Sequence, residues 1–151
     1  MTHVWRAAVL GSAMWLSAGC NSSAPEPVSV EIPSAKLRLT IVRMATDPFL
    51  SRHNLTLKVE GEGICTSSTE LFPNTGHVSR RNIFLASKGM IYIVGQFDAR
   101  IINPSDCKTS LSEFQHLDRE VVFIGSFDED KERRWTYFSA ADRQELPFEK
   151  R

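Results

Sequence analysis

The stretch that decides the fold is Asn54-Leu55-Thr56-Leu57-Lys58-Val59-Glu60, in which Leu55, Leu57 and Val59 alternate with Thr56, Lys58 and Glu60. Successive side chains of a strand point to opposite faces, so a period of two means one apolar and one wet face. Lys36-Leu37-Arg38-Leu39-Thr40-Ile41-Val42 repeats the pattern upstream, with Leu37, Leu39 and Ile41 on one side. Downstream, Gly61-Glu62-Gly63 is a turn signal, followed by Ile64-Cys65-Thr66 as a short strand. Two hairpins are expected further on. Ile83–Ala86 and Met90–Ile102 flank Ser87-Lys88-Gly89, and Glu120–Phe127 and Arg134–Ser139 flank Asp128-Glu129-Asp130-Lys131-Glu132. Gly95 and Gly125 fall inside strand patterns and mark bulges or close backbone approaches. One short helix is expected from Ser110-Leu111-Ser112-Glu113, which fits a capping box, to about Asp118. The fold class is therefore mainly β: an antiparallel β-sandwich-like domain of about seven strands with one short helix.

The chain has 151 residues, 42% of them hydrophobic and 24% charged, enough for one domain with a modest core. Its 18 basic and 18 acidic groups cancel, which disfavours a nucleic-acid binder that works through a cationic surface. No Walker loop, G-x-G-x-x-G, G-x-S-x-G or H-E-x-x-H motif is present, and nothing in the order of Ser, His and Asp singles out a catalytic triad. His53, His77 and His116 read as loop or helix-surface histidines. The run 128–132 lacks the alternating ligands and central glycine of a calcium loop. The chain is read as non-enzymatic, with no cofactor, no metal and no small-molecule substrate.

The N-terminus carries an address. Residues 1–19 hold one positive charge, Arg6, then a short apolar stretch ending in small residues, which is the layout of a secretory signal. The stretch is too short to span a bilayer. Leu16-Ser17-Ala18-Gly19-Cys20 resembles the lipobox of bacterial lipoproteins. The resemblance implies cleavage before Cys20, lipidation of that cysteine and attachment to a membrane. Asn21 after the cysteine implies the outer rather than the inner membrane. Residues 20–35, with prolines at 25, 27 and 33, are read as a lipidated flexible tether able to reach roughly 45–50 Å when extended. The folded domain is expected over 36–151.

Export to an oxidising compartment leaves Cys65 and Cys107 as a disulfide pair, with separate thiols or a metal site as the alternatives. A bridge closing about 40 residues contributes on the order of 4 kcal/mol in the chain-entropy view.

Several strands are apolar on both faces. In Met90-Ile91-Tyr92-Ile93-Val94, Ile91 and Ile93 point one way and Met90, Tyr92 and Val94 the other; Val121-Val122-Phe123-Ile124 and Ile83-Phe84-Leu85 behave alike. One face belongs to the core. The other is either covered internally, by the 104–119 segment or by the tail with Leu146 and Phe148, or left as a groove for a partner. Tyr92, Val94, Val122 and Ile124 are the expected lining.

Ile32-Pro33-Ser34-Ala35 running into Leu37-x-Leu39-x-Ile41, with Ile91–Arg100 later, is loosely similar to the small β-sandwich pilotin lipoproteins of type III secretion systems. The resemblance covers about half the chain. It implies a periplasm-facing module on the outer membrane that grips a short segment of a secretin subunit and assists its localisation or assembly. The alternative is an inhibitor or immunity lipoprotein that inserts the acidic 128–132 turn into a periplasmic enzyme or toxin.

Overall fold

The computed structural model describes residues 24–47, 52–63, 65–74, 79–112 and 120–148. Ten strands run through them: β1 Glu26–Ile32, β2 Leu37–Asp47, β3 Arg52–Gly61, β4 Thr66–Asn74, β5 Arg81–Ala86, β6 Ile91–Val94, β7 Ala99–Asn103, β8 Lys108–Ser112, β9 Val121–Glu129 and β10 Trp135–Ser139. They form two antiparallel sheets, one in the order β1-β2-β3-β4 and the other in the order β10-β9-β5-β6-β7-β8. β1 runs beside β10 and β4 beside β8, so the sheets close on each other at both corners. The fold is a mainly β, antiparallel sandwich, as the alternating stretches require.

The period of two builds the core directly. Leu37, Leu39 and Ile41 of β2 and Leu55, Leu57 and Val59 of β3 are fully buried, while Arg38, Lys58 and Glu60 face water. Opposite them the second sheet supplies Ile83, Ile91, Ile93, Ile102, Phe127 and Trp135. Each such side chain stabilises the fold by about 1.5–3 kcal/mol through burial. Phe127 meets Tyr137 edge-on at 5.2 Å between centroids and stacks on Trp135 at 6.2 Å, which fills the β9–β10 corner.

Several expectations need correction. The proline-rich stretch is not all tether: residues 26–32 form β1, whose seven residues pair with Leu37–Arg43. Val28, Val30 and Ile32 pack on the core. Pro27 is tolerated because β1 is an edge strand, where a missing N–H removes no bond from the ladder. The expected helix does not begin at Ser110, because Ser110–Ser112 belong to β8 and pair with Ala99–Ile101. Residues 113–118, the rest of that segment, lie outside the described residues, as do Cys20, Ile64, His77 and His116; no helix occurs among the described ones. Met90–Ile102 is not one strand. It turns at Gly95–Asp98, where the Gly95 N–H donates to the Asp98 carbonyl at 2.8 Å. A Cβ on Gly95 would lie 2.7 Å from the Arg81 guanidinium, so this turn depends on the missing side chain. Gly125 sits at the expected bulge, where the β5–β9 register shifts between Ile83 and Phe84.

Candidate functional site: an apolar layer outside the larger sheet

β6 is buried on both faces. Ile91 and Ile93 enter the main core; Tyr92 and Val94 belong to a second cluster with Phe84, Ala86 and Ala99. Met90, Ile101, Val121, Phe123 and Phe148 pack against this cluster. The alternation that puts Ile83 and Leu85 inward puts Phe84 and Ala86 outward, and Phe84 stands between Tyr92 on one side and Phe123 on the other. Phe84 and Phe123 meet edge-on at 5.7 Å, the favourable arrangement for two quadrupoles. The larger sheet therefore carries an apolar layer on its outer face as well as the core on its inner one.

The expected lining divides between the two faces. Tyr92 and Val94 lie in the outer layer, each 5% exposed. Ile124 packs against the main core instead, and Val122, opposite the core-packed Leu85, is 63% exposed at the rim. The outer neighbours of Tyr92 are Phe84 on β5 and Ile101 on β7, with Phe123 of β9 beyond Phe84, a row that sequence parity within one strand could not align.

Toward one end, the outer face becomes polar. Arg80 precedes β5, Asn82 lies on it at 2% exposure, and Asp128 of β9 receives Arg143 and, at 3.9 Å, Arg80. Arg143 lies 4.3 Å over the Phe138 ring. Burial pulls the Arg80 pKa down while Asp128 pushes it up. The tail from Gln144 to Phe148 crosses here. Asn82 Nδ2 donates to the Leu146 carbonyl at 3.2 Å and Arg80 Nη2 to the Pro147 carbonyl at 2.9 Å. The Arg80 guanidinium lies 4.8 Å over the Phe148 ring.

Cys65 and Cys107 form the expected disulfide, with Cα atoms 5.5 Å apart. The bridge precedes β4 and β8 and ties their corner, where Ser67 Oγ also donates to the Cys107 carbonyl at 2.6 Å.

The acidic 128–132 turn is not a free tip. Glu129 is engaged by Arg43, which is also bonded to Glu26. Asp130 accepts from the backbone N–H groups of Glu132 and Arg134 and from Arg134 Nε. Partial desolvation pushes the Asp130 carboxyl up, but those bonds outweigh it and hold it below its ordinary value. His53 is half-buried at the β2–β3 end, and its pKa is lowered by burial first and by Arg43 second. A separate buried ion pair, Arg81 with Asp98 at 3.5 Å, holds the β6–β7 turn against β4 through Arg81 Nη2 and the Phe72 carbonyl at 2.9 Å. Among the described residues no group of three or more His, Cys, Asp or Glu side chains converges as metal ligands would.

Fold and site together define a disulfide-stapled antiparallel β-sandwich with an apolar layer outside its larger sheet. No protein-family model matches the chain, no curated protein is similar to it, and no solved structure matches it.

Proposed function

We propose that this protein is a lipoprotein anchored to the outer membrane at Cys20, facing the periplasm and acting as a non-catalytic binding module. In this reading it is a pilotin-type accessory that grips a short apolar segment of a secretin subunit. The observation that carries it is the outer apolar layer around Phe84, Tyr92, Val94 and Phe123. The centre of this layer is buried within the chain itself, and its partly exposed rim, Met90, Ile101, Val121 and Phe123, is the part that fits a grip on another chain. The Cys65–Cys107 bridge agrees with export. The inhibitor or immunity reading stands second, since the carboxylates of Asp128, Glu129 and Asp130 are already spent on Arg143, Arg43 and Arg134.

The test is capture from detergent-solubilised envelopes with the native lipidated protein, followed by mass spectrometry. Recovery of a secretin that is lost on Phe84→Ala supports the proposal. A soluble hydrolase or toxin in its place, insensitive to Phe84→Ala, transfers the reading to an inhibitor. Cys20→Ser should leave the protein out of outer-membrane fractions; unchanged partitioning would sink the anchor.

A further inference from the structure

Resting on that reading, we propose that the C-terminal tail, residues 144–148, is a tethered stand-in for the partner segment, which must displace it to bind. The tail holds the outer face as a bound peptide would. It forms no strand, residues 144–147 are exposed, and its grip on the apolar layer is the single half-buried ring of Phe148. The domain supplies the donors, Asn82 and Arg80, and the tail supplies the main-chain carbonyls of Leu146 and Pro147. Recognition of this kind reads a backbone and one apolar anchor, so another extended segment with the same two features can replace it.

One observation says why a partner would win. The Asn82 side chain is 2% exposed, yet its Oδ1 has no hydrogen-bond partner among the described residues. The tail satisfies only the donor half of this amide. A segment that also turns a main-chain N–H toward Oδ1 completes both bonds and removes a buried unsatisfied acceptor. The site also has a charge preference, which the tail's own sequence shares in Glu149 beside Phe148. Two guanidiniums, Arg80 and Arg143, share the single carboxylate of Asp128. The segment that fits is extended, carries a large apolar anchor, and has an acidic residue beside it.

A fluorescently labelled peptide of residues 144–151 tests the displacement without any partner in hand. It should bind the Phe148→Ala chain at least tenfold more tightly than wild type, whose own tail holds the site. The same peptide with its phenylalanine replaced by alanine should not bind. Equal binding to both chains, or binding to neither, would overturn the stand-in. Hydrogen exchange on the wild-type protein supplies a check that needs no variant. Amides of the tail should exchange well ahead of those of β5 and β9; equal protection would mean the tail is a fixed part of the fold and would overturn the idea. Envelope capture separates this inference from the functional reading. More secretin on Phe148→Ala than on wild type supports both, equal secretin on both removes the stand-in alone, and none on either removes the secretin.

Discussion

The indole Nε1 of Trp135 donates to the main-chain carbonyl of Ile41 at 3.2 Å, a buried hydrogen bond that runs from the second sheet to the first. Ile41 is a core position of β2 and Trp135 opens β10, so one bond spans the interior where β1 and β10 meet. Arg43, two residues along β2, lies 5.2 Å over the same ring and reaches the Arg133 carbonyl at 3.0 Å. Packing alone would hold two apolar faces together loosely; these directional contacts set how they are aligned.

Trp135→Phe keeps most of the ring but leaves the Ile41 carbonyl without its donor. On a strand paired on both sides, losing that one buried bond costs about 0.5–1.5 kcal/mol. Urea denaturation followed by circular dichroism should show that loss in the midpoint. An unchanged midpoint would mean that water takes over the carbonyl at no cost.

The disulfide joins residues 42 apart in sequence. Cys65→Ala with Cys107→Ala should lower stability by about 4 kcal/mol in the chain-entropy view. Denaturation with and without reductant provides the same comparison on the unaltered chain. If both curves coincide, the β4–β8 corner is held without help from the bridge.

His53 gives stability a sign with pH. Its pKa in the folded protein is lowered, by burial and then by Arg43, so the unfolded chain takes up a proton first as pH falls. Above the unfolded pKa of about 6.5 the two states bind equally and nothing is lost. Below it stability falls, until pH passes the lower folded pKa and the loss levels off. His53→Gln should flatten the decline between pH 7 and 5 relative to wild type; an identical slope would assign the decline to other groups.

Tyr92 and Val122 should separate cleanly. Tyr92→Ala opens a cavity in the outer layer and should cost about 3 kcal/mol, near the lower end for a large aromatic. Val122→Ala, at 63% exposure, should stay within about 0.5 kcal/mol. Thermal unfolding of the two variants decides, and similar losses would contradict the division of these residues between the faces.

The inner face of the fold was legible because β2 and β3 alternate without interruption, and an alternating strand can bury only one side. β1 alternates too, in Val28, Val30 and Ile32, but its flanking prolines argue for a linker until one knows it lies at an edge. The Leu111-Phe114-Leu117 spacing suits a helix, and that local preference loses at Ser110–Ser112 to pairing with β7. That β6 has two apolar faces was readable. Which residues of β9 share a face with Tyr92 was not, because register across strands is set by pairing and by the Gly125 bulge. The tail on Arg80 and Asn82 left no pattern of its own, since two carbonyls and one phenylalanine are invisible to periodicity.

The pairing of β1 also fixes how far the domain can stand from its anchor. With lipid at Cys20, as proposed, the chain up to Glu26 can cover at most about 20 Å, less than half of what fifteen extended residues would allow. Glu26 is bonded to Arg43, which also holds Glu129 and the carbonyl of Arg133 at the β9–β10 turn. On that proposed anchoring, this end of the sandwich would be kept close to the headgroups, with the disulfide end directed away from them. So tethered, the module would work as a short-leashed fixture, and whatever it gripped would have to be brought to the membrane surface.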